Sequence, residues 1–319
     1  MGNITTAVEE LNKLSPREIV LSDNVRSHFI QIYNSVHPGG NGEAVYERES
    51  VFFNRILDEK KDISSKCTHF SIFNSFIELA VNGLSIEQGV RALAYLQGKN
   101  YCTGSDASGR KVYEARCVLV VSGYGELVIR ERVGQIRHAD NPVIVYAEDD
   151  FSYSDTDGRK SVSYTCHLPH SSRKVVACFI RITRADGSID YGTMFEEDWN
   201  RLADYSANQN KKWDDNAKRY VKGRPNALYG DNNSGIDTGF LAAKCIKHAF
   251  TTYPKIPIGS GAVLETEEPD NTTHDELVTN KPEEPAVKPD NSPSFAETNT
   301  SSGVTVDPAE SNNTDDGAF

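Results

Sequence analysis

The chain has 319 residues, 38% hydrophobic composition and a formal net charge of −12. That is enough to bury one sizeable core of up to about 250 residues, and it allows one or two domains. The charge is not spread evenly: from Gly259 onward 14 acids face two lysines, which leaves 32 acids and 32 bases in residues 1–258. Acidity therefore describes the C-terminal stretch and does not exclude a polyanionic partner for the balanced remainder.

No run of 18 apolar residues occurs, so no membrane span is expected. MGNITTAVEELNKL lacks the basic start and apolar core of a signal peptide, and a cytoplasmic location is expected. The six cysteines (Cys67, Cys102, Cys117, Cys166, Cys178, Cys245) show no C-x-x-C spacing and are read as buried, reduced thiols rather than a zinc site or a disulfide frame.

In chain order, Ser15-Pro16 opens a helical stretch, REIVLSDNVRSHFIQIYNSV, with Ser15 as N-cap and Pro16 at the first helical position. HPGGNG breaks it, and a second helix is predicted over 43–58. THFSIFNSFIELAVNGLS gathers Phe70, Phe73, Phe76, Ile77 and Ala80 on one face, with Thr68 as cap and Gly83 as the left-handed C-terminal residue. From residue 100 the period becomes alternating: YCTG and VYEARCVLVVS read as a hairpin around a polar loop. PVIVYAED, FSYSD, SVSYTCHL, VVACFIRITR and SIDYGTMF are further strands, with Asp157-Gly158 and Asp186-Gly187 as turns. EEDWNRLADYSA and TGFLAAKCIKHAFTTY are helices, the latter stopped by Pro254. The segment Leu127–Val133 fits neither period.

These elements describe an α+β fold: a mainly antiparallel sheet with a β-hairpin, flanked by helices at both ends. One domain is assigned to 1–258, with a helical extension over 1–60. Residues 259–319, rich in Pro, Asn, Ser, Thr and acids, are assigned to a disordered acidic tail.

Gly123-Tyr124-Gly125 follows an apolar strand, as a phosphate loop would, but no third glycine stands at the dinucleotide spacing and no Gly-Lys-Ser/Thr occurs anywhere. A nucleotide fingerprint is therefore rejected. Glu148-Asp149-Asp150 offers carboxylates for a divalent metal, yet adjacent strand residues point to opposite faces, so a solvated turn is the preferred reading. His167 and His170 have no acid or cysteine at ligand spacing and are read as surface or strand residues. Basic residues with interleaved rings remain. Arg110 and Lys111 lie in the hairpin loop, and Arg130, Arg132 and Arg137 follow the glycines. Lys211 and Lys212 open a cluster with Trp213 and Tyr220, and Lys244 and Lys247 ride the last helix. Such residues suit a groove that tracks a phosphate backbone and stacks bases.

Four segments in order, THFSIFNSFIELAVNGLS, YCTGSDASGRKVYEARCVLVVSGYGELVIRERVGQI, ACFIRITRADGSIDYGTMFEEDWNRL and FLAAKCIKHAFTTYP, resemble the RecT family of phage single-strand annealing recombinases over about residues 60–255. The resemblance implies an ATP-independent protein that binds single-stranded DNA, assembles into rings or filaments and pairs complementary strands for homologous recombination. No covalent catalysis and no required cofactor are implied, with magnesium as a modulator. The implied partners are single-stranded DNA and its annealed duplex, further copies of the chain, an exonuclease of the same phage module, and host single-strand-binding or repair proteins. A bacterial, phage- or prophage-encoded setting follows from the same likeness. The absence of a nucleotide motif fits, because base stacking in the product contributes about 1.4 kcal/mol per step.

Relatives of this kind carry a basic residue at the strand-to-helix corner, where this chain has Tyr124. On the last helix their lysine and arginine pairs correspond to Ala242-Ala243 and Lys247-His248. From the basic clusters and these positions together, the expected DNA contacts are Arg110, Lys111, Tyr124, Arg130, Arg132, Arg137, Lys211, Lys212, Lys244 and Lys247. The final NNTDDGAF looks like the acidic tip of bacterial single-strand-binding proteins, so Asp315, Asp316 and Phe319 are read as a partner-binding tip. A metal-dependent nuclease of a phage recombination module and a non-enzymatic assembly protein remain as alternatives.

Overall fold

A computed structural model describes residues 8–216, 218–230 and 235–265. Ser15 opens α1 (Pro16–Leu21) through a reciprocal capping box, its backbone N–H donating to Glu18 at 2.7 Å. The single helix expected here is broken by Ser22, which ends α1 in extended conformation and caps α2 (Asp23–Val36), its hydroxyl oxygen accepting from the Val25 N–H. Next come α3 (Gly42–Glu59), α4 (Lys61–Lys66) and α5 (His69–Asn82). Thr68 caps the start of α5, and Gly83 ends it at φ 57°, as the sequence predicts.

The hairpin consists of β1 (Ala94–Ser105) and β2 (Lys111–Val121). The base of β1–β2 is buried beneath α5: Leu96, Leu119 and Val121 join Phe29, Phe53, Phe76 and Leu79 in one core. The helices before residue 60 are thus not an appendage. Val20, Val25, Phe29 and Phe53 lie in the same core as the hairpin base, and Phe29 stacks on Phe76 at 4.8 Å.

After Ser122 the chain forms α6 (Gly123–Arg132), then β3 (Ile136–Ala139), β4 (Val143–Tyr146), the hairpin β5 (Asp150–Thr156) and β6 (Arg159–Thr165), β7 (Val175–Arg184) and β8 (Ile189–Phe195). β7 is the centre of a four-stranded antiparallel sheet. β3 and β4 pair in turn along one edge, Ile136 opposite Arg184 and Val143 opposite Phe179, and β8 pairs along the other. Helices α7 (Glu196–Gln209) and α8 (Thr238–Ala249) cover one face, placing Trp199, Leu202, Leu241 and Cys245 against Ile180, Ile182 and Met194. The other face receives β5–β6 through Phe151, Val162 and Tyr164 around Phe179. Between α7 and α8 stand the short pair β9 (Lys212–Asp214) and β10 (Arg219–Val221) and a 3₁₀ turn over Ala227–Tyr229. The α+β class and the dominance of antiparallel pairing agree with the sequence reading.

Helix α6 joins the two cores. Ile129 and Val128 pack into the first, and Tyr124 and Leu127 into the second. A helix buried on two sides has no single apolar stripe, which is why its periodicity is illegible.

The assignment of residues from Gly259 onward to the tail needs correction. β11 (Val263–Leu264) pairs parallel to β2, Val263 opposite Val120, and the body runs to Glu265. Glu78 anchors this return, accepting from the Gly261 N–H at 2.7 Å. A Cβ on Gly259, whose φ is +84°, would stand 1.7 Å from Glu78 Oε2, so the close approach requires glycine there. The tail expected beyond, including Asp315, Asp316 and Phe319, lies outside the described residues.

Candidate nucleic-acid interface

The glycine corner is built for packing. Ser122 caps α6, its oxygen accepting from the Gly125 N–H at 3.1 Å while its hydroxyl donates to the Ala92 carbonyl at 2.6 Å. A Cβ on Gly125 would sit 2.0 Å from the Leu93 carbonyl oxygen, and one on Gly123 would sit 3.1 Å from Lys247 Cγ. Backbone and side chains therefore fill the space that an anion would need. Tyr124 is half-buried against the second core, with the Arg91 guanidinium 5.9 Å from its ring centre.

The basic residues expected at the interface divide by environment. Arg130, expected to contact DNA, is instead 1% exposed. It bonds Glu126 at 2.9 Å through Nε, bonds Gln135 and the Pro254 carbonyl, and lies 4.5 Å over the Phe250 ring. Its charge faces inward because α6 is buried on two sides, and it pins α6 to the end of α8. Lys247 is likewise buried, with Nζ 3.5 Å from Glu265. Burial pushes the Glu265 carboxyl up, but Lys247, Lys244 and the Tyr95 hydroxyl outweigh it and hold it below the ordinary value. Arg130 and Lys247 therefore leave the set of outward cations. Arg132 donates to the Asn82 and Gly83 carbonyls, closing the C-terminus of α5, and Arg137 donates to the Ala185 carbonyl at 2.7 Å. Lys244 is half-buried, its Nζ 5.1 Å from the Phe240 ring centre.

Arg132 and Arg137 are exposed but engaged with backbone carbonyls, and the other outward cations of the expected set sit on two hairpins. Beyond its buried base, β1–β2 projects from the core and is exposed through its loop. Asp106 organises that loop, accepting from the Ser108 and Arg110 N–H groups at 2.8 and 2.9 Å, and so presents exposed Arg110 and Lys111. Below them, paired positions Lys99–Arg116 and Tyr101–Glu114 share one face, with the Arg116 guanidinium 5.1 Å over the Tyr101 ring. Tyr113 on the opposite face is 58% exposed. Lys99, Tyr101, Tyr113 and Arg116 are absent from the sequence-based set, although their alternation along the strands carries the signal. The second hairpin, β9–β10, carries exposed Lys211, Lys212, Lys218 and Arg219 with Tyr220 opposite Trp213. Between residues 211 and 224 six bases face two acids.

The acids after β4 form the expected turn with Asp150 exposed, but Asp149 differs from expectation. Asp149 is not solvated: its side chain is fully enclosed, and it accepts from the Tyr146 and His167 N–H groups, both at 2.9 Å, and from the Tyr164 hydroxyl at 3.2 Å. These donors and His170 hold its carboxyl well below the usual range despite burial. The Ser172 N–H and the Ser171 hydroxyl draw the Glu148 carboxyl down to about 2. His170 and His167, for which the sequence offered no acidic partner, reach Asp149 at 2.8 Å and Asp150 at 2.7 Å, because the loop after β6 folds back over the turn after β4. Four cysteines are buried as expected, but Cys102 and Cys166 are exposed, and none is disulfide-bonded. Burial pushes the Cys67 thiol up to about 11 and the Cys117 thiol up to about 12.

No protein-family model and no curated protein matches the chain. Among the described residues no helix is long and apolar enough to cross a membrane.

Proposed function

We propose that the protein binds single-stranded DNA along its two basic hairpins and anneals complementary strands for homologous recombination without ATP. The observation that carries this reading is the β1–β2 hairpin, which leaves the core bearing cations interleaved with tyrosines. Cations neutralise phosphates and rings stack on bases irrespective of sequence. The β9–β10 hairpin repeats the same chemistry with a denser charge. The reading also draws on the resemblance of four sequence segments to the RecT annealing proteins.

Pairing two strands requires that repulsion between backbones be offset and that bases stay accessible. A hairpin projecting into solvent meets both requirements better than an enclosed pocket. Assembly of several copies into a ring or filament would set such hairpins side by side along one strand. The partners in this reading are further copies of the chain, single-stranded DNA and its duplex product, a phage exonuclease and host single-strand-binding or repair proteins, with magnesium as a modulator.

Two complementary oligonucleotides mixed with the protein in EDTA and without ATP test the reading. Accelerated pairing with both strands intact is expected. Strand loss on adding magnesium would favour a nuclease, and neither effect would favour an assembly protein.

A further inference from the structure

Away from both hairpins, three unlike ligand types converge at the foot of β5–β6. A carboxylate oxygen of Asp149, Cys166 Sγ and a ring nitrogen of His170 all lie within 4.8 Å of one another. The hairpin's last pair is Asp150 with Thr165, so Asp149 and Cys166 are the residues at which its two strands leave the ladder. His170 arrives from the loop that leads into β7. Cys166 and His170 are separated by three residues, a ligand spacing that the sequence reading passed over, and the separation of Asp149 from both hid the grouping.

The arrangement is held from outside. Asp149 is oriented by N–H groups of Tyr146 and His167 and by the Tyr164 hydroxyl. The His170 ring stacks on Tyr146 with centroids 4.1 Å apart. Glu148 fastens the loop itself by accepting from the Ser171 and Ser172 N–H groups at 3.1 and 2.8 Å. Outer partners of this kind orient ligands and tune a bound metal.

We propose that Asp149, Cys166 and His170 form a binding site for a zinc-class divalent cation, with water in the fourth position, that clasps the foot of the β5–β6 hairpin. The donor set decides the class. One thiolate, one imidazole and one carboxylate suit zinc or cobalt, whereas magnesium and calcium select oxygen donors. The geometry is close to what such an ion needs: bonds of about 2.0–2.3 Å at tetrahedral angles place neighbouring ligand atoms roughly 3.3–3.8 Å apart. Asp149 and His170, now at 2.8 Å, would open slightly, and Cys166 would close by no more than about 1.5 Å. On binding, the Cys166 thiol gives its proton to solvent, and the proton that His170 Nε2 donates to Asp149 is exchanged through solvent for one on Nδ1, so that the neutral ring turns a freed Nε2 lone pair to the ion. Asp149 keeps its N–H and hydroxyl donors throughout.

The inference is independent of the annealing reading and is tested without DNA. Cys102 and Cys166 are the two exposed thiols, so one can serve as an internal control for the other. The full chain, stripped with chelator, is alkylated with and without zinc chloride and each cysteine is followed by mass spectrometry. Zinc should slow modification of Cys166 by at least about tenfold, leave Cys102 unchanged, and lose that effect in His170→Ala. Cobalt chloride added to the unaltered chain should give a thiolate charge-transfer band and the intense visible bands of a four-coordinate site. Equal rates with and without zinc, protection that survives His170→Ala, or a cobalt spectrum without the thiolate band would overturn the proposal.

Discussion

The Arg130 guanidinium lies 4.5 Å above the ring of Phe250 and, through that contact and its bond to the Pro254 carbonyl at 3.2 Å, fastens the corner helix to the end of the last helix, while Glu126 on its own helix balances its charge. Removing one partner of a buried ion pair leaves the other charge uncompensated. Arg130→Ala should therefore cost about 3–5 kcal/mol, measured as a lower urea midpoint at unchanged slope. The folded fraction should bind single-stranded DNA as tightly as the unaltered protein. A stable variant with weakened binding would return Arg130 to the interface.

The approach of the Leu93 carbonyl to Gly125 makes a second, sharper packing test. Gly125→Ala places a Cβ 2.0 Å from a backbone oxygen that cannot swing away, so a loss of about 1–3 kcal/mol or more is expected. Gly134→Ala is the contrast in reverse: nothing lies within 4 Å of its Cβ, and only its φ of +72° resists the change. Thermal unfolding of the two variants should rank Gly125→Ala as the less stable.

Glu78 predicts a pH dependence. Burial raises its carboxyl above the ordinary value, against the pull of the N–H groups of Gly261, Ser260 and Ala262. A carboxyl that holds its proton more tightly when folded contributes stability that is complete below the unfolded value, about 4.3, and is lost as pH rises through the folded value. Glu78→Gln has no proton to lose. Urea midpoints across a pH series should therefore move in favour of the variant as pH rises through that window. Parallel curves for the two proteins would sink this assignment.

Much of the architecture is legible in the sequence because the relevant signals are local. Ser15-Pro16, Thr68 and Gly83 mark helix ends, and alternation marks the strands. What escapes are arrangements made across the chain. Ser22 breaks a helix because it caps in both directions, and α6 has no readable period because two cores bury it. β11 is a two-residue strand held by Glu78 from far upstream. Arg130 and Lys247 look in sequence like their exposed neighbours, and only tertiary burial separates them from Lys211 and Lys212. Asp149 and His170 meet through a loop whose course no spacing rule gives.

The division of cations also predicts a salt signature. For single strands the logarithm of affinity falls with the logarithm of salt by about 0.7 for each phosphate neutralised. Lys211→Ala with Lys212→Ala should weaken binding and flatten that slope by about 0.7 for each phosphate that is no longer neutralised. Lys247→Ala should leave the slope unchanged, since its ammonium is already committed to Glu265.

The central claim is that the two hairpins hold DNA for annealing. The most direct measurement compares the rate of oligonucleotide pairing, in EDTA and without ATP, for the unaltered protein and for a variant with Arg110, Lys111, Lys211 and Lys212 all changed to Ala. Strong acceleration by the first, little by the second, and the same thermal unfolding for both are predicted. No acceleration by the unaltered protein, or equal acceleration by the variant, would contradict the claim.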